Sequence, residues 1–200
     1  VTRTPLQAAW LALGEHFLDT ETRHLLPLTA LACVDAGLDP DAVRETWWNE
    51  LFPVLGSNLL DVAGEWAGWD EAWLLASVEK AREARRASGP VRRSLRKGLH
   101  PRHSAETLES LVRCVEHLGR VPRVDREPHA QVLSLLARHV FDFIPRASSE
   151  WEPRMVQRAR TLAPATVLTL LGPALLPDER AVAEPRLAAV LRDSAASPSS

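Results

Sequence analysis

The sequence predicts an all-α fold, a compact N-terminal helical domain followed by a second helical bundle, with no sheet. Three observations carry this. Apolar residues recur three and four positions apart along most of the chain, which gathers them on one face of a helix. Proline, glycine and short polar residues fall where helices start and stop. No run of four or more residues alternates apolar and polar between turn signals, as a half-buried strand would.

Thr4-Pro5-Leu6-Gln7 opens the first helix, with a capping threonine, a proline at the first helical position and a glutamine to close a capping box. Leu6, Trp10, Leu13 and Phe17 then share one face of about four turns. A second helix spans 22–36, interrupted near its start by Pro27 and stopped at Gly37. Asp39-Pro40-Asp41 opens a third, expected to end at Phe52 before Pro53. Residues 53–70 carry Gly56, Gly64 and Gly68 among large apolar side chains, which suits tight turns and one short helix. Asp70 caps the next helix, which continues through Trp73, Leu74 and Val78 to Arg82, Arg85 and Arg86.

Residues 88–103 are basic, with two prolines and two glycines, and read as an exposed linker. Ser104 is the expected cap of a helix with Leu108, Leu111, Val112, Val115 and Leu118 inward, closed by Gly119. A proline-bearing connection leads to a helix from about 127 to 144, with Val132, Leu136, Val140 and Phe143 inward. Ser149-Glu150-Trp151-Glu152 forms a second capping box, opening a helix to about 162. Pro164 starts a short apolar helix ended by Gly172-Pro173, and further helical turns lie between Asp178 and Arg192. The resulting division is an acidic, Trp-rich helical domain over 1–87, a basic linker over 88–103, a helical bundle over 104–193 and a disordered tail over 194–200.

A chain of 200 residues buries enough apolar surface to fold without disulfides or metal. Cys33 and Cys114 lie inside helical patterns, so two reduced, buried thiols are expected. No apolar run reaches the ~20 residues that cross a bilayer, and no basic start precedes an apolar stretch. The expected location is cytoplasmic, with no membrane partner. The net charge of -2 hides a division, because residues 1–75 hold Arg3, Arg23 and Arg44 against twelve acids, a charge of -9. Residues 76–200 hold 21 cations against 14 acids, a charge of +7.

Five of the seven tryptophans, Trp47, Trp48, Trp66, Trp69 and Trp73, fall between 47 and 73. Trp47, Trp66 and Trp73 are expected to fill the core. Neighbours on a helix point ~100° apart, so Trp47 and Trp48 cannot share one interior, and one of them is a candidate anchor for a partner. Glu45, Glu50, Asp61, Glu65, Asp70 and Glu71 crowd the same region. Asp61 and Glu65 are four apart, which suits general acid or base work beside an indole, whereas caps and solvated faces account for the same residues more simply.

His100, His103, Cys114 and His117 have the spacing of a structural zinc site, but Cys114 falls on the apolar face beside Leu111 and Leu118. No metal and no cofactor are therefore expected. Glu15, His16, Asp19 and His24 form a weaker set near the end of the first helix. No nucleophile elbow, zinc-protease helix, phosphate loop or dinucleotide fingerprint occurs. The cations from Arg82 to Arg102 lack interleaved aromatics, so nucleic acid is not the expected partner.

The segments F-L-D-T-E at 17–21 and W-N-E-L-F-P-V-L-G-S-N-L-L-D-V-A-G-E-W-A-G-W-D-E-A-W-L at 48–74 resemble a small helical bacterial domain family of unknown function. The resemblance covers about residues 6–76 and implies a compact helical domain with no assigned catalysis and no functional residues to carry over. The leading expectation is a noncatalytic interaction protein engaging a basic protein partner, an immunity protein that neutralises a bacterial toxin being one concrete form. Trp47, Trp48, Glu45, Glu50, Glu65, Trp69 and Asp70 are the residues expected to meet that partner. A hydrolase using Asp61, Glu65 and Asp70, and a nucleic-acid-binding regulator using residues 82–102, stand as alternatives.

Overall fold

Thr4 opens the first helix in the way its sequence predicts. Its hydroxyl accepts from the Gln7 N–H, and the Gln7 side chain accepts from the Thr4 N–H at 3.0 Å. The computed structural model describes residues 2–18, 21–58, 68–87, 102–141, 158–159, 162 and 164–196. Helix α1, Pro5–Gly14, runs into a 3-10 turn, Glu15–Phe17, and buries Trp10, Leu13 and Phe17. A second 3-10 turn, Arg23–Leu25, leads into α2, Leu26–Asp35, with Pro27 at its start.

Gly37 ends α2 at φ +74°, where a Cβ would be strained. The Leu38 N–H bonds to Cys33 O at 2.9 Å and the Gly37 N–H to Val34 O at 3.0 Å, which satisfies two orphan carbonyls. Asp39 then caps α3, Pro40–Thr46, accepting from the Ala42 N–H at 2.8 Å.

The third helix does not stop before Pro53. It passes through one turn of π-helix, Trp47–Leu51, into α4, Phe52–Leu55, with Pro53 near the start of α4. The Phe52 N–H reaches back five residues to Trp47 O, and this widened turn offsets the ladder just where Pro53 has no N–H to contribute. Asp70 caps α5, Glu71–Ala87, its carboxylate accepting from the Trp73 N–H at 2.7 Å.

Helix α6, Arg102–Arg120, starts two residues before Ser104, so Ser104 is not its cap. Ser104 is instead buried, and its hydroxyl accepts from Trp47 Nε1 at 3.1 Å. Helix α7, Arg123–Phe141, begins a turn earlier than the prolines suggest and continues through Pro128. The loss of one ladder bond there falls in the second turn, close to the end that lacks partners anyway. Helix α8, Pro164–Leu171, and a 3-10 turn, Gly172–Ala174, precede α9, Pro177–Ala196, which runs on through Pro185 and into the segment expected to be a tail. Most of the helix expected over 149–162 and most of the linker over 88–103 lie outside the described residues.

The predicted inward faces of the α6 and α7 helices hold among the described residues, Phe143 lying outside them. Leu108, Leu111, Val112, Val115 and Leu118 of α6 and Val132, Leu136 and Val140 of α7 are all buried. Helix α2 lies against both α6 and α7, α1 against α2 and α5, and α9 against α7, so one apolar cluster extends from Ala9 to Leu187. Polar bonds cross the same seam. Ser134 Oγ donates to His24 O at 2.8 Å, and Ser110 Oγ donates to Leu171 O at 3.2 Å while accepting from the Ala174 N–H. Cys33 and Cys114 are free thiols in this interior, and burial pushes both up to about 12. Among the described residues there is no strand, and no helix is long and apolar enough to cross a membrane.

Candidate functional site

The tryptophans divide into an interior set and a surface set. Trp10 and Trp47 are fully packed, and each satisfies its single N–H inside: Trp10 Nε1 donates to Glu50 Oε2 at 3.1 Å, Trp47 Nε1 to Ser104. Trp47 also lies 4.7 Å from the Phe17 ring, at the centre of an aromatic cluster. Trp48 turns away from it at 79°, half-buried, and packs edge-on against Phe52 at 5.2 Å. Of the adjacent pair, Trp47 is therefore the core residue and Trp48 the one that reaches partway to the surface.

Glu50 is buried and presents nothing to an outside partner. It accepts from Trp10, and Arg82 of α5 stands 3.6 Å from its carboxylate with the guanidinium 5.5 Å from the Trp10 ring centroid. Glu45 is exposed on α3, away from this interior. Trp66, Asp61 and Glu65 lie outside the described residues.

Trp73 is not in the core. It is 48% exposed, the most exposed indole among the described residues, while its neighbour Leu74 is 1% exposed. The Trp73 ring stacks on Trp69 at 6.0 Å and 26°. Trp69 is itself tied down, because its Nε1 donates to Gly14 O at 2.9 Å. A Cβ at Gly14 would crowd the tip of Leu74, 2.9 Å from its Cδ2, but would make only ordinary contact with Trp69 Cδ1 at 3.7 Å. The end of α1 and the start of α5 thus lock an indole pair in place, one ring held and one accessible.

Beside this pair lies a cavity of about 400 Å³ whose lining includes Glu15, Glu21, His24, Trp69 and Glu71. Burial pushes the Glu15 carboxyl above its usual range. Glu21 is engaged by Arg23, and Glu71 pairs at the rim with Arg3, where both side chains are half exposed. The three arginines of the first 75 residues are all spent in ion pairs: Arg3 with Glu71, Arg23 with Glu21 and Glu179, and Arg44 with Asp41 and Glu109. They do not offset the remaining carboxylates of that half.

Of the residues expected to meet a partner, the structure brings Trp69 and Asp70 to one place and adds Glu15, Glu71 and Trp73, which were not expected there. It leaves Trp47 and Glu50 inside. The sequence carries a signal for the addition, because Glu15 and His24 cluster near the end of the first helix and both line the cavity. Of the four residues with zinc-like spacing, two can be placed. Cys114 faces the core, His100 and the His103 side chain lie outside the described residues, and His117 meets His129 instead, at 2.8 Å between Nε2 atoms. Burial, with a smaller contribution from nearby charges, lowers both imidazole pKa values, that of His129 to about 4.

Neither a curated protein nor a solved structure matches the chain. A family profile does, over residues 5–116, well past the 6–76 of the resemblance and into α6. The matched region takes in the indole pair, the acidic cavity and the Trp47–Ser104 bond that joins π-turn to α6. More than half of the chain is covered, and the chain belongs to the domain of unknown function family DUF7079.

Proposed function

We propose that the protein acts without catalysis, as an interaction protein that captures a basic protein partner on the Trp69–Trp73 surface; an immunity protein that neutralises a cognate bacterial toxin is its most concrete form. The observation that carries this reading is the Trp73 indole, 48% exposed yet stacked on a fixed Trp69, beside a cavity walled by Glu15, Glu21 and Glu71. A held aromatic loses little conformational entropy on binding, which is why such residues anchor interfaces. Carboxylates around it attract lysine and arginine, through cation–π contact with the indoles and through charge pairing. Exposed Asp70, between the two indoles in sequence, extends the negative field.

The test is affinity for the protein encoded by the neighbouring gene, measured at low and high salt. Trp73→Ala is expected to weaken binding by at least about tenfold while leaving the unfolding midpoint near wild type, because the ring is half in solvent. High salt is expected to slow association. Tight binding indifferent to both the substitution and the salt would remove this surface from the interface.

A further inference from the structure

His117 stands near the end of α6 and His129 near the start of α7, on either side of the short connection at Val121–Pro122. Their Nε2 atoms are 2.8 Å apart, with ring centroids at 5.0 Å and planes inclined by 37°. Two neutral imidazoles in this arrangement share one proton, so one ring donates from Nε2 while the other accepts with a bare Nε2. Neither the fold nor the tryptophan surface requires such a couple.

We propose that His117 and His129 form a binding site for a divalent first-row transition ion such as Zn2+, Ni2+ or Cu2+, which clips the end of α6 to the start of α7. The two Nε2 atoms already face each other almost head-on, the centroid separation of 5.0 Å being close to the largest that a 2.8 Å nitrogen–nitrogen distance allows. Metal–nitrogen bonds of about 2.0–2.1 Å at right or tetrahedral angles place the two nitrogens about 2.9–3.4 Å apart. The nitrogens therefore part by a few tenths of an ångström, and both rings swing off the line that joins them so that each lone pair turns toward the ion. The donating ring moves its proton from Nε2 to Nδ1 as it ligates, so no net proton is released and both rings bind in the neutral form.

His117 lines an open cavity of about 350 Å³ with Glu116, Arg120, Thr166 and Thr169, from which an ion and its waters reach His117. Among the described residues no group of three His, Cys, Asp or Glu converges, so water fills the remaining coordination positions. The surrounding charges pull both ways. Asp125, one turn before His129, attracts a cation; Arg120 beside His117 and Arg158 beside His129 oppose it. Arg158 also holds Asp125 at 2.8 Å. Imidazole nitrogen suits zinc, nickel and copper, whereas magnesium and calcium seek oxygen, so the site discriminates by donor type.

The full chain is titrated with Zn2+ and Ni2+ at neutral pH by calorimetry, with thermal unfolding measured in parallel. The expected result is one ion per chain and a thermal midpoint several degrees higher in excess metal, with no response to Mg2+. His117→Gln and His129→Gln are each expected to lower the affinity by about tenfold or more. Because either variant can perturb packing, Cu2+ bound to the unaltered chain is read by electron paramagnetic resonance, where coupling to two imidazole nitrogens is expected. Metal binding unchanged in His129→Gln, copper coupled to other than two nitrogens, or no binding at all would overturn the assignment.

Discussion

His16 shows what one buried side chain does to the pH dependence of this fold. Thr29 Oγ1 donates to Ala12 O at 3.4 Å, so it accepts from His16 Nε2 at 3.0 Å, and Thr22 Oγ1 then donates to Nδ1 at 3.3 Å. The ring is thus neutral with its proton on Nε2, and Trp47 lies 6.2 Å away. Burial, and after it the charge of His24, pushes its pKa from 6.5 down to about 3. Between those two values the unfolded chain binds a proton that the folded chain refuses, so stability is lost as pH falls through the window. One such imidazole costs roughly 2 kcal/mol between about pH 7 and pH 5. Glu15 works in the opposite sense, since its raised pKa makes its contribution more favourable as pH falls. The prediction is that His16→Gln flattens the acid side of the stability profile, read from urea midpoints at several pH values. An unchanged slope would show that His16 is not the buried neutral group it is taken to be.

Helix starts and stops were legible in the sequence because they are local chemistry. Thr4, Asp39 and Asp70 each accept a backbone N–H three residues on, and Gly37 takes a positive φ that other residues avoid. Asp70 carries a consequence for the surface, since its carboxylate holds the N–H of Trp73 itself. Asp70→Ala is expected to cost about 1 kcal/mol of stability and to loosen the exposed indole, visible as a red shift in its emission. An unshifted midpoint would show that the first turn of α5 is held by packing alone. What was not legible needed a neighbour. Pro53 reads as a stop, and only the π-turn before it lets the helix continue to Leu55. The outward position of Trp73 was not fixed by spacing alone: Leu74 fits the apolar spacing toward Val78, but adjacent residues such as Leu111 and Val112 are both buried, so the neighbour of a core residue can face either way. His117 and His129 meet across an inter-helix turn, which residue spacing within one helix does not reveal.

At the scale of the whole molecule, the opposite charges of the two halves do not simply neutralise one another. Arg23 and Arg44, cations of the acidic half, pair with Glu179 and Glu109, acids of the basic half, while Arg82 of the basic half reaches Glu50. Arg23 is the most consequential of these. It is 8% exposed, donates to Ala174 O and to both oxygens of Glu179 at 2.7 Å, and lies 4.5 Å from the Phe141 ring centroid. Its removal would take a donor from Ala174 O and the paired cation from Glu21 and Glu179, at the junction between the Arg23–Leu25 turn, α7 and the start of α9. Part of the carboxylate charge remains solvated, so Arg23→Ala is expected to cost about 2–3 kcal/mol rather than the full penalty of a wholly buried pair. The continuous core from Ala9 to Leu187 implies that this loss is felt everywhere at once. Six of the seven tryptophans lie at or before residue 73, so fluorescence reports the first half while far-ultraviolet circular dichroism reports every helix. Urea curves from the two probes are expected to superimpose in the unaltered chain and in Arg23→Ala, shifted together to lower urea in the variant. Separate transitions would mean that the halves fold as independent units and that Arg23 merely docks one on the other.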